Sequence, residues 1–83
     1  MKKYLVDIYL PTTGTHFDAY LPTGKKIGEA TQLLATIAGS LSGGSYKGTA
    51  DTVLLNAYNG EPLSRNDTVY DAGIRNSSKL ILI

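Results

Sequence analysis

Asp67-Thr-Val-Tyr-Asp-Ala-Gly-Ile-Arg-Asn-Ser-Ser-Lys-Leu-Ile-Leu-Ile83 decides how the rest of the chain is read. Its first part is turn-rich and carries two isolated apolar residues, Val69 and Ile74. Its last part is the most apolar run in the sequence. In an extended chain successive side chains alternate, so Leu80 and Leu82 share one face and Ile81 and Ile83 the other. A strand apolar on both faces belongs in the middle of a sheet, because half-exposed strands alternate apolar with polar. The chain is therefore expected to end within its own core.

Working outward, Lys3 to Leu10 alternates with period two. Tyr4, Val6, Ile8 and Leu10 fall on one face, with Leu5, Asp7 and Tyr9 on the other. Pro11-Thr-Thr-Gly14 has the composition of a turn. A second alternating strand follows, with Phe17, Ala19 and Leu21 inward and His16, Asp18 and Tyr20 outward. The two strands make a hairpin. After Pro22-Thr-Gly24 the period becomes helical, with Ile27, Ala30, Leu33, Leu34, Ile37 and Leu41 at spacings of three and four. Thr23 is the candidate N-cap and Gly39 the candidate left-handed stop.

Ser40 to Asp51 reads as a mobile loop rich in Gly and Ser. Thr52 to Tyr58 is a third strand, with Val53, Leu55 and Ala57 opposed in direction to Leu54, Asn56 and Tyr58. Asn59-Gly60 marks a tight turn. Glu61-Pro-Leu63 fits only an edge strand, because proline has no N–H for an interior ladder. One amphipathic helix on a mixed four- to five-stranded sheet is a two-layer α+β domain spanning 1–83. With the final strand beside the first, the arrangement is a β-grasp.

Composition narrows function by exclusion. The 83 residues carry 8 basic and 7 acidic side chains, a net charge of +1, and no cysteine. The pI of about 8.0 and the scatter of basic residues do not make a nucleic-acid footprint. Without cysteine there are no disulfides, thiolate chemistry or Cys-based zinc sites. The opening Met1-Lys-Lys mimics a signal peptide, but Asp7 and Pro11 interrupt it, and no run approaches a membrane span. A cytoplasmic protein with no metal, no cofactor and no direct membrane insertion is expected.

Thr68-Val-Tyr-Asp-Ala-Gly-Ile74 followed by Asn76-Ser-Ser-Lys-Leu80 resembles the closing half of ubiquitin-like domains. The Asp-Ala-Gly-Ile, polar pair and Leu are closer to the YukD/EsaB group. Those are small ubiquitin-like proteins associated with type VII (WXG100) secretion in Gram-positive bacteria. The Gly14 hairpin, Ile27 near the helix start and Asn59-Gly60 extend the resemblance over nearly the whole chain. It implies a non-enzymatic accessory protein that binds a cytoplasmic part of a secretion machine. The departure lies at the end. Ubiquitin and the sulfur carriers of this fold present a flexible Gly-Gly tail for adenylation, whereas this sequence stops at the β-branched Ile83. Gly43-Gly44 is internal, so conjugation is not expected. Two alternatives stay open, a modifier or sulfur-carrier-type protein and the ubiquitin-like N-terminal domain of a larger secretion membrane protein.

Motifs with chemical overtones have plainer readings. His16 near Asp18 has no nucleophile or oxyanion donor to serve, so it reads as a surface histidine. Gly39 to Ser45 has the glycine spacing of a phosphate loop but lacks the lysine and follows a helix. Asn66-Asp-Thr68 and Asn76-Ser-Ser78 are turn residues, and Asp51, Asp67 and Asp71 are too scattered for a metal. The outward sheet face is different. Leu5, Tyr9, Tyr20, Leu54 and Ile81, with Ile83 nearby, are expected to share it. Apolar and aromatic side chains gathered on one face mark partner sites. Weak self-association, through this face or the edge strand at Phe17–Leu21, is a further expectation.

Overall fold

The computed structural model describes residues 2–49 and 51–83. Met1, in the signal-like opening, and Ala50, in the expected loop, lie outside them. Strands β1 (Lys3–Leu10) and β2 (Thr15–Pro22) form the hairpin that the alternation predicts, with Tyr4 opposite Leu21 and Leu10 opposite Thr15. Thr13 and Gly14 both donate to the Leu10 carbonyl, at 3.2 and 2.8 Å. Gly14 has φ +67°, a region that a side chain would strain. Helix α1 (Ile27–Leu41) crosses one face of the sheet, and β3 (Leu54–Asn56) and β4 (Lys79–Leu82) complete it. The spatial order is β2-β1-β4-β3, with β1 and β4 parallel in the centre and antiparallel pairs on either side.

The expected fifth strand is reduced to one bridge between Pro62 and Leu55. The backbone still closes around β3. Asn56 donates to the Glu61 carbonyl at 2.9 Å and Leu63 to the Leu54 carbonyl at 3.0 Å. Pro62 cannot extend that ladder. Strand β3 itself covers three residues of the seven expected, because only Leu54, Leu55 and Asn56 face a partner in β4.

The helix departs from expectation at both ends and in its facing. Its N-cap is Lys26, with no side-chain cap, and not Thr23. The exposed helix N–H groups meet backbone carbonyls instead: Ile27 donates to Asp67 at 2.8 Å and Gly28 to Arg65 at 3.1 Å. A neighbouring segment that supplies acceptors makes a capping side chain unnecessary. At the other end Gly39 lies inside the helix, and the left-handed stop is Gly43, φ +64°. Gly44 donates to the Gly39 carbonyl and Gly43 to that of Ser40, the two bonds of a Schellman motif.

The buried stripe is Ile27, Ala30, Thr31, Leu34, Ala35 and Ala38. Ile27, Ala30 and Leu34 match expectation. Leu33 and Leu41 are exposed and Ile37 is half-buried, so small residues face the sheet where large ones were expected. Small residues let the helix approach closely, and the Thr31 hydroxyl is satisfied by donating to the Ile27 carbonyl at 2.7 Å.

The glycine-rich segment is not a bare loop. Tyr46 is buried in the core, a contribution hidden from the sequence by its polar neighbours. Gly48 packs so closely on α1 that an added Cβ would lie 2.8 Å from the Ala35 Cβ. Gly48→Ala is therefore expected to cost about 1–3 kcal/mol through overpacking, read as a lowered denaturation midpoint in urea. Val6, Ile8, Leu10, Leu21, Val69, Ile74, Leu80 and Leu82 fill the space between helix and sheet.

Candidate protein-binding face

Strand pairing sets which side chains share the sheet surface away from the helix. Tyr9 faces His16 in β2 and Ile81 in β4, and Ile81 faces Leu55 in β3. The row Leu55–Ile81–Tyr9–His16 thus runs across all four strands. Its side chains lie on the face opposite the core, because Leu80, Leu82, Leu54 and Ile8 point the other way. The Tyr9 and His16 rings pack with centroids 4.7 Å apart, tilted by 37°. A second row, Lys79–Asp7–Asp18, is charged. His16 Nδ1 lies 3.1 Å from Asp7 Oδ1, so its partner is the diagonal carboxylate across the hairpin and not Asp18. Asp7, Tyr9, His16, Ala57, Lys79 and Ile81 line a shallow depression of about 230 Å³.

Leu5 and Tyr20 face one another beyond the charged row and are exposed on the same side. The Lys3 ammonium sits 5.0 Å from the Tyr20 ring centroid, a cation–π distance. The turn before β4 holds this end in place. Asn76 Oδ1 accepts the Leu5 N–H at 3.0 Å, and the Ser77 N–H donates to the Leu5 carbonyl at 2.7 Å. Arg75 lies over the Tyr70 ring at 4.0 Å and donates to the Tyr70 and Ile74 carbonyls.

Four of the five expected contact residues, Leu5, Tyr9, Tyr20 and Ile81, do lie on one face. Leu54 does not. It is 2% exposed and opposes Leu82 in the core, and Leu55 takes its place beside Ile81. Two adjacent leucines give no sign of which points inward; only the register against β4 decides. Leu54→Ala is accordingly expected to destabilise the fold by about 2–5 kcal/mol, whereas Leu55→Ala stays within about 1 kcal/mol, as thermal melts of both would show. The surface is also less apolar than expected, because the charged row separates Leu5 and Tyr20 from Tyr9 and Ile81. Strand β4 is central as predicted but buried on one face alone, with Ile81 half-buried and Ile83 exposed.

Among the described residues no group of His, Asp or Glu is placed to hold a metal ion, and no helix is long and apolar enough to cross a membrane. No protein-family model matches the sequence, and no curated protein matches it. Solved structures do match. The ubiquitin-like domain of EccD5 from Mycobacterium xenopi superposes with a TM-score of 0.82 at 17% identity, over 100% of this chain and 94% of that one. The ubiquitin-like domain of the Mycobacterium tuberculosis type VII secretion protein EccD1 gives 0.78 at 17%, over 100% and 99%. A chain of the MycP5-free ESX-5 inner membrane complex gives 0.82 at 12%, over 100% of this chain and 21% of that one. At such identities the likeness is one of fold, and over this length it is complete: the chain is a ubiquitin-like β-grasp domain.

Proposed function

We propose that the chain is a non-enzymatic, non-conjugated protein-binding module, an accessory component of a bacterial type VII secretion system that works at the cytoplasmic side. The observation that carries this reading is the Leu55–Ile81–Tyr9–His16 row. It is a strip of apolar and aromatic side chains bordered by Asp7 and Lys79, on a sheet face that no element among the described residues covers. A partly apolar centre with charged groups at its margin is the anatomy of a protein interface. The secretion assignment draws support from the similarity to the EccD domains and from the YukD/EsaB-like closing segment. In this reading the partner is a soluble segment of the secretion machine and not nucleic acid.

A second reading is favoured by the length comparison. The chain spans nearly all of the isolated EccD domains but about a fifth of the ESX-5 chain it matches. In that reading the chain is the ubiquitin-like portion of a larger membrane component, using the same face. The test is affinity recovery from cytoplasmic and membrane fractions of the source cell, read by mass spectrometry. Recovery of secretion ATPase or membrane components supports the accessory role. Recovery of an activating enzyme, or of covalent adducts through the C-terminal carboxylate, would replace it with the modifier or sulfur-carrier reading.

A further inference from the structure

The two edges of the sheet are built differently. Strand β3 is short, and residues 61–63 with Pro62 close its outer side. Strand β2 runs for eight residues, with no lysine and with proline only at its last position. Natural edge strands usually carry such devices against pairing with another chain.

The hydrogen-bond phase shows which groups β2 leaves open. Thr23 donates to the Lys2 carbonyl in the same register as the hairpin, so the mutually bonded pairs recur as Tyr4–Leu21, Val6–Ala19 and Ile8–Phe17. The alternate residues of β1 turn toward β4, as Asp7 does in donating to the Ser78 carbonyl at 2.9 Å. By that phase the N–H and C=O groups of His16, Asp18 and Tyr20 point outward from the sheet edge.

Above that edge the surface is partly apolar. Leu33, Ile37 and Leu41 follow at four-residue intervals along the flank of α1 opposite the one where Gly28 meets Arg65 and Gly39 meets Tyr46. Leu10, Thr15, Phe17, Leu41, Ser42 and Ser45 line a groove of about 490 Å³ between that flank and β2.

We propose that this edge pairs with a second copy of the chain, β2 against β2 in antiparallel register, with Phe17 on the two-fold axis. This edge adjoins the sheet face assigned to the secretion partner and shares His16 with it, while Ile81 and Leu55 lie two and three strands away from the dimer contact. Side-chain complementarity selects both the occupant and the register, because an imidazole N–H can donate to a carboxylate. With Phe17 on the axis, His16 of each copy faces Asp18 of the other, and all four main-chain groups of these residues can pair. Centring on Asp18 sets two carboxylates opposite each other, which is destabilising. Centring on Ala19 sets His16 against Pro22, which has no N–H to give. In the chosen register the two Phe17 side chains meet on the core-facing side, next to Leu41 from both helices.

Sedimentation equilibrium on the full chain tests the proposal, with a monomer–dimer equilibrium expected in the micromolar-to-millimolar range of a small interface. Asp18→Pro removes an outward N–H without breaking the hairpin ladder, and Asp18→Lys leaves the backbone intact and removes the carboxylate that accepts from the His16 ring of the other copy. Each is expected to weaken dimerisation by about tenfold or more. Ile81→Asp is expected to leave dimerisation unchanged, which separates this proposal from the partner-binding face. Because the chain has no native cysteine, Phe17→Cys reports the axis directly and is expected to form a disulfide-linked dimer on mild oxidation. A monomer up to about millimolar concentration would overturn the proposal. So would crosslinking at Asp18→Cys in preference to Phe17→Cys, or dimerisation unaffected by both Asp18 variants while their circular dichroism stays native.

Discussion

Ile81→Asp is expected to weaken binding of the secretion partner by about 100-fold or more, while the domain stays folded. Ile81 stands in the middle of the row, between Tyr9 and Leu55, and central residues of an interface carry most of its energy. A carboxylate there would have to be desolvated against apolar neighbours, and Asp7 is already close by on the same face. The cost to folding is smaller. Ile81 is half-buried, so the lost packing is expected to be about 1 kcal/mol. Binding by the variant, measured against wild type by calorimetry with the recovered partner, decides the matter. Wild-type affinity would place the partner elsewhere. Loss of the native circular dichroism spectrum would show that Ile81 belongs to the core. Leu55→Asp is a second probe of the same row, at the shorter edge strand.

Leu82→Ala is expected to lower stability by about 2–5 kcal/mol and the melting temperature by roughly 10–30 °C. Leu82 is fully buried at the level of Leu54, in the strand that joins the β1–β2 hairpin to β3. Truncation leaves a cavity under α1 that the surrounding side chains can close only in part. A domain of this size has a total margin of about 5–15 kcal/mol, so the loss is a large fraction of it. Urea titration of Leu82→Ala beside Leu55→Ala measures the difference between the two faces of the sheet. Equal losses would mean that the outer face is covered in the free protein.

The sequence could be read far more securely for its elements than for their contacts. Period two in 3–10 and 15–22, period near four after Ile27, and the unbroken apolar ending were enough for the hairpin, the single helix and the central last strand. Those patterns are local, and each is imposed by the geometry of one element. Capping was not legible in the same way. Thr23 has the chemistry of an N-cap, but carbonyls from residues 65 and 67, some forty positions away, occupy the helix N–H groups. Gly39 and Gly43 are equally good stops by composition. The helix runs past Gly39 to Leu41, and the Schellman bonds close it at Gly43 and Gly44.

The candidate site divides along the same line. Tyr9, Leu5 and Tyr20 could be assigned to the outer face because long alternating strands fix their own phase. Leu54 and Leu55 could not, since β3 is only three residues long and its phase comes from Leu82 and Ile81 opposite. The hydrogen-bonded neighbour of His16 was equally hidden, because Asp7 reaches it diagonally across a pairing register. What the sequence by itself determined is the hairpin, the single helix and the central last strand, and the inward or outward sense of the two long strands, because backbone geometry ties side-chain direction to spacing. What only the tertiary structure decided is which residues meet: the row across four strands, the burial of Tyr46, the closed β3 edge and the open β2 edge. These depend on contacts between segments far apart in the chain, and no local periodicity encodes them.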